Sequence, residues 1–223
     1  MDCGKCGLCG IKKRVCMTPE GDNPNFCSTK LYEQELKRAA DKYAEPENHK
    51  MALESAKQEK SGYENINGDP RLRMAVKPRI LETVEFCQRM EYKKIGLAFC
   101  MGLKNEALTV TKIFENYGLE VVSVICKVGG VDKSFVGVDD EDKLVPGGHE
   151  SMCNPIAQAE ILNSEKTEFN VLLGLCVGHD SLFLKHSDAC CTVLAVKDRV
   201  LGHNPLAAIY TNGSYYGYVS KKI

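Results

Sequence analysis

The sequence predicts an α/β protein. Its expected form is a mostly parallel, Rossmann-like (flavodoxin-like) three-layer sheet with an N-terminal Cys-rich metal-binding segment and a helical lead-in. Three observations carry this. From residue 94 onward, short apolar runs alternate with helical patterns, the signature of repeated βαβ units. Three of those runs end in cysteine, at Cys100, Cys126 and Cys176. Five of the twelve cysteines stand within residues 1–30, where almost nothing apolar surrounds them.

Residues 1–30 are broken by glycine and proline and hold few apolar side chains, so they need a staple rather than a core. Residues 31–92 read as the helical lead-in. Leu31, Tyr32, Leu36, Ala39, Ala40 and Tyr43 fall on one helical stripe, Pro46 interrupts it, and His49 to Lys60 resumes as a charged helix. Gly62 to Asp69 reads as a loop. Pro70 suits a first helical position, which predicts a helix over 70–91 with Pro78 as a kink.

The α/β domain is expected over 93–223. Strands are predicted at 94–99, 120–126, 170–176 and 191–197, and helices at 105–117, 155–164, 180–187 and 205–210. A long Gly-rich connection, 127–152, carries the acidic run Asp139 to Asp142; connections of this length are commonly functional. Asn212-Gly213, between tyrosines, predicts an antiparallel edge hairpin.

The N-terminal thiols have a specific spacing, Cys3-x-x-Cys6-x-x-Cys9, followed by Cys16 and Cys27. Thiolates two residues apart can grip one metal through a turn. The run begins like a bacterial ferredoxin motif, but its fourth cysteine comes late. Zinc needs four ligands, which Cys3, Cys6, Cys16 and Cys27 would supply, with Cys9 able to replace any of them. Zinc and a [4Fe-4S] cluster both stay open.

A second constellation sits at the strand ends. In open α/β sheets the ligand crevice lies past the carboxyl ends of the strands. Cys100 and Cys176 stand there. Cys153 joins them because Asn154-Pro155 is a strong helix start, and a thiol before a helix N-terminus has a lowered pKa. Cys100, Cys153, Cys176 and His179 are therefore the candidate catalytic residues, and His149, His203 and Asn204 are expected to face a cofactor from the same edge. Such thiols could hold a second [4Fe-4S] cluster or metal, or relay sulfur or electrons through disulfides. Cys126 and Cys87 read first as small buried hydrophobes, and Cys190 and Cys191 as packing. No Gly-x-Gly-x-x-Gly follows the first strand and no serine nucleophile elbow is present, which argues against dinucleotide binding and acyl transfer.

Net charge is −1 and tryptophan is absent, so no nucleic-acid partner is expected. No apolar run is long enough to span a bilayer and the start Met-Asp-Cys-Gly-Lys-Cys has no signal core, so a cytoplasmic protein without a membrane partner is expected. There, thiols serve as metal ligands, redox centres or packing more often than as structural disulfides.

The opening Cys-x-x-Cys-x-x-Cys, Met152-Cys153-Asn154-Pro155-Ile156-Ala157-Gln158-Ala159-Glu160, Gly174-Leu175-Cys176-Val177-Gly178-His179-Asp180 and Lys197-Asp198-Arg199-Val200-Leu201-Gly202-His203-Asn204-Pro205 resemble an uncharacterised cysteine-rich family. That family is a domain of unknown function of archaea and anaerobic bacteria. The resemblance implies metal binding in a microbial cytoplasm and supplies no reaction. The expected function is a metal-binding (zinc or iron–sulfur) redox or sulfur-handling enzyme, with a small-molecule substrate or a redox partner protein. The alternative is a non-catalytic metal-binding sensor or carrier. A homo-oligomer is compatible with either.

Overall fold

The computed structural model describes residues 3–221; the Met1-Asp2 start of the Cys-rich segment lies outside them. The chain divides into two compact units, Met1–Ser61 and Gly62–Ile223.

The first unit opens with turns. A single 3-10 turn spans Cys6–Leu8, and residues 13–15 lie beside Asp22 through two backbone hydrogen bonds. Gly21 is required there: a Cβ would stand 2.1 Å from the Arg14 carbonyl carbon. Three helices follow, α1 (Ser28–Leu31), α2 (Glu33–Tyr43) and α3 (Pro46–Ser61). Pro46 does not interrupt one long helix. It begins α3, where its missing N–H costs nothing. Among the described residues of this unit only Cys27 and Gln58 are buried.

The second unit begins with a two-stranded antiparallel hairpin, β1 (Tyr63–Asn65) and β2 (Arg73–Ala75). This corrects two expectations, a loop over 62–69 and a helix from Pro70. Asn67 and Gly68 both take left-handed dihedrals and turn the chain back. Pro78 is not a kink but the residue preceding α4 (Arg79–Met90).

The main sheet contains β3 (Lys94–Phe99), β4 (Glu120–Ile125), β5 (Phe169–Leu175) and β6 (Cys191–Val196). All pairs are parallel and the order is β4-β3-β5-β6. The helices are α5 (Lys104–Asn116), α6 (Pro155–Ser164), α7 (His179–His186) and α8 (Leu206–Tyr210). Both faces of the sheet are covered. Ile95, Leu97 and Phe99 pack with Phe169, Val171 and Leu173 against Val84 of α4 and Phe114 of α5. Ala98, Val124, Leu172 and Leu175 pack against Ala159 and Leu162 of α6 and Phe183 of α7. Strands buried on both faces explain the near-continuous apolar runs.

The order matters for function. Going from β3 the chain steps outward to β4, then returns past β3 to β5. The crevice at such a reversal lies between β3 and β5, past their carboxyl ends. Past β6, residues 211–220 run through consecutive turns and a 3-10 turn (Gly217–Ser220), with no strand. The expected edge hairpin at Asn212-Gly213 is absent because Thr211 and Asn212 already continue the coil of α8, donating to Ala207 and Ile209.

Candidate thiol site at the strand ends

Backbone hydrogen bonds stitch the strand ends together before any side chain acts. Cys100 N donates to Leu173 O (3.0 Å), Cys126 N to Phe99 O (2.8 Å) and Asn154 N to Cys126 O (2.7 Å). The last of these brings the start of α6 to the end of β4. Asn154 caps α6 with its side chain accepting from Ala157 N (3.1 Å), and Pro155 follows as the first helical residue. The helix start predicted from Asn154-Pro155 is therefore present, with Cys153 just before it.

The result is a thiol pair. Cys126, 3 % exposed, accepts the N–H of Met101 on its sulfur (3.3 Å), and Cys153 packs with it on the same apolar cluster. A hydrogen bond with Cys126 is the largest cause lowering the Cys153 thiol to about 5; burial opposes it, and the nearby Lys127 and His179 add to it. Cys126 is pushed the other way, above the ordinary thiol range, first by the same hydrogen bond, then by burial and the neighbouring Cys153 and Cys100. Cys153 is the more acidic of the two thiols. Cys100 and Cys153 both pack against the apolar cluster beneath.

Lys127 positions the partner. Its Nζ meets the Ser151 carbonyl at 2.5 Å, two residues before Cys153. The connection 127–152 is organised around Asp132. Its carboxylate accepts from Ser134 N (2.9 Å) and Glu150 N (2.7 Å), and Lys143 and His149 stand 3.4 and 3.3 Å away. Met152 N then donates to Val131 O (2.7 Å) and delivers the chain to Cys153. A second brace comes from Gln158, wholly buried, whose Nε2 donates to Val124 O (2.7 Å) and Phe99 O (3.3 Å). It ties the ends of β3 and β4 to α6.

The other expected site residues divide. Cys100 lies with Cys126 and Cys153. Cys176 follows β5 at the same edge, but its sulfur takes a hydrogen bond from Arg199 Nη2 (3.1 Å), so its polar partner is a cation rather than a thiol. His179 is beside Cys153, and its Nδ1 is buried without a hydrogen-bond partner among the described residues. His149 braces the connection through Asp132 and Ser151. His203 braces the turn after β6: its Nδ1 lies 3.1 Å from Asp198 N and 3.2 Å from Val196 O. Asn204 accepts from Ala207 N with its carbonyl at the start of α8. Cys87 is core, its thiol pushed up to about 12 by burial, and Cys191 is raised for the same reason. Cys126, read first as a small hydrophobe, is buried and is also the partner of Cys153.

The N-terminal thiols are placed differently. Cys6 gives its thiol to Ser28 Oγ (3.1 Å), Cys27 is buried at the start of α1, and Cys3 and Cys16 are exposed. Among the described residues no three His, Cys, Asp or Glu side chains form a group that could hold a metal ion.

Residues 27–194 match a family model described as a protein of unknown function, DUF1847. The chain belongs to the DUF1847 family. The matched stretch contains Cys100, Cys126, Cys153, Cys176 and His179 and begins at Cys27, after the other N-terminal thiols. An uncharacterised protein of Methanocaldococcus jannaschii is 44% identical over 212 residues, covering 95% of each chain. Among the described residues no helix is long and apolar enough to cross a membrane.

Proposed function

We propose that this DUF1847 protein is a thiol-based redox or sulfur-handling enzyme in which Cys153 is the nucleophile and Cys126 the resolving thiol. The observation that carries this is the meeting of Cys126 and Cys153 at the start of α6, where Asn154 N donates to Cys126 O (2.7 Å) and both residues pack on one cluster, with Lys127 holding the Ser151 carbonyl just before Cys153. The strand order and the helices on both faces support a flavodoxin-like, Rossmann-type reading, which puts this pair at the edge where such folds bind ligands. The thiolate of Cys153 attacks one sulfur of a disulfide substrate; a new S–S bond forms and a thiolate leaves with the electron pair. Cys126 then attacks the Cys153 sulfur. Its proton passes to the leaving group, the internal disulfide forms, and a second thiol departs. Two electrons move from the protein to the substrate, and the reverse sequence oxidises a dithiol.

Magnitudes locate where this arrangement helps. Lowering a thiol from about 8.5 to about 5 raises the thiolate fraction near pH 7 about 30-fold. The same change weakens each thiolate as a nucleophile by about 40-fold, for a Brønsted slope of about 0.45. The two effects cancel at neutrality. Near pH 5.5 an ordinary thiol is about 0.1 % ionised, and Cys153 keeps an advantage of roughly 20-fold. Iodoacetamide labelling at that pH, read peptide by peptide, should therefore mark Cys153 first. Labelling led by any other strand-end cysteine would contradict the assignment.

A metal-binding role for residues 1–30 is a second reading, favoured by the Cys-x-x-Cys-x-x-Cys spacing and by the scarcity of buried residues in the first unit. Zinc or iron–sulfur would act there as a staple, and metal and acid-labile sulfide analysis of anaerobically purified protein distinguishes them. Neither at stoichiometric level would remove this reading and the non-catalytic metal sensor or carrier with it.

A further inference from the structure

We infer that Lys197 binds the anionic head of the substrate, an oxyanion attached to the sulfur compound on which the thiols act. This rests on the thiol reading above and names the substrate class. Lys197 follows β6, and its backbone N–H is spent on Leu175 O (3.1 Å). The side chain is half-buried, and its ammonium has no carboxylate or other acceptor among the described residues. Other half-buried lysines of this unit are paired: Lys94 with Glu165 (2.7 Å), Lys133 with Glu150 (2.7 Å) and Lys77 with Glu85 (2.8 Å). An ammonium partly withdrawn from water without a counter-charge is costly unless something anionic completes it.

The surroundings are shaped for a ligand. The ammonium lies 3.8 Å from where a Cβ would stand on Gly102, just past β3, and 3.8 Å from the same point on Gly174 in β5. Two residues without side chains thus flank it, one in the turn that follows β3 and one in β5, the strands between which the chain reverses direction. Gly174 takes a left-handed φ of +68°, at a register irregularity of the β5–β6 pairing. A Cβ there would also strike Leu103 Cδ1 at 2.2 Å. The sulfur of Cys100 lies 3.9 Å from the Gly102 point, so cation and thiol face the same small space. His179 Nδ1 adds a second unpartnered nitrogen at this edge. A disulfide that carries an oxyanion fits both: Lys197 holds a sulfonate or carboxylate head while the thiolate attacks the S–S bond, so the substrate class is the disulfide of an organic sulfonate thiol or of a mercapto-carboxylate.

The test is a titration of the full-length, reduced protein at constant ionic strength, following the amide signals of Gly102 and Gly174 by NMR. The probes are thiosulfate, sulfate and acetate in separate arms. Saturable shifts at both glycines are expected with at least one probe, and the stronger arm identifies a sulfur oxyanion or a carboxylate. Lys197→Met should weaken the apparent Kd about tenfold or more, as loss of a charge-assisted bond implies. Lys197→Arg should retain binding, and Lys112→Met, on the exposed side of α5, should leave it unchanged. Linear, non-saturating shifts with every probe, or a Kd unmoved by Lys197→Met, would overturn the inference. The low-pH labelling of Cys153 reports separately on the thiol reading, so either can fail alone.

Discussion

Replacing Cys126 tests what holds Cys153 as a thiolate. Cys126→Ala removes the thiol partner and leaves Lys127 and His179 in place. A hydrogen bond to a charged group contributes about 1.5–3 kcal/mol, and a thiol, a weak donor, belongs at the lower end. At 1.36 kcal/mol per pK unit, the Cys153 midpoint should rise by about 1 to 1.5 pH units. The assay is the full pH profile of iodoacetamide labelling at Cys153. A single pH would mislead. Near pH 5.5 the lost thiolate is largely offset by a stronger nucleophile, so the rate changes only about twofold. The profile separates the effects: the midpoint rises while the alkaline plateau climbs roughly three- to fivefold. Cys126→Ser keeps a hydroxyl donor, so its midpoint should stay low, and it guards against misreading a packing defect. An unchanged midpoint and plateau in Cys126→Ala would refute the reasoning. A related linkage follows: because folding lowers the Cys153 pKa, its contribution to stability is lost as pH falls through about 5, and because folding raises the Cys126 pKa, the pair's contribution also declines as pH rises above the ordinary thiol range.

Further outcomes are expected. Lys127→Met should raise the same midpoint, by less than Cys126→Ala, because Lys127 ranks behind the thiol hydrogen bond; no movement would remove Lys127 from the site. The Asp132 carboxyl is held well below the usual carboxylate range, first by the Ser134 and Glu150 N–H groups, so its hold on 127–152 should be full above about pH 4 and decline only as the pH falls further, through that depressed value. Limited proteolysis of the connection measures this, and Asp132→Asn should be cut readily at neutral pH; equal resistance would contradict the hub. Gly96→Ala would place a Cβ 2.0 Å from Asn170 Oδ1, which already accepts from Thr167. It should cost about 1–3 kcal/mol and lower Tm by about 3–10 °C, whereas Gly148→Ala, with open space, should melt like the parent. For residues 1–30, Cys3→Ser with Cys6→Ser should reduce the bound metal of anaerobically purified protein, and an unchanged content would exclude those thiols as ligands.

The sheet was legible because its strands are buried on both faces and read as unbroken apolar runs: 94–99 and the helix 155–164 appear with their predicted bounds. The two Asn-Gly pairs show what local signals lack. Asn67-Gly68 lies between extended segments and closes a hairpin that went unread, because β1 and β2 have only three residues each and Pro70 suggested a helix. Asn212-Gly213 follows residues already coiling out of α8 and closes none. In the site, Cys153 was visible through Asn154-Pro155, and Cys100 through its strand end. The pairing of Cys153 with Cys126 was not, because it depends on how 127–152 folds around Asp132, a set of contacts far apart in sequence. Gln158 and Lys197 carry no motif; each gains its place only from the strand ends it reaches.

The central claim is that Cys126 and Cys153 work as one dithiol. Its most direct measurement is disulfide mapping by mass spectrometry, after the reduced full-length protein has met a limiting amount of oxidised glutathione. The Cys126–Cys153 disulfide should form first among the twelve cysteines, preceded by a transient glutathione adduct on Cys153. Oxidation that goes to the N-terminal thiols or to Cys176 while Cys126 and Cys153 stay reduced would contradict it.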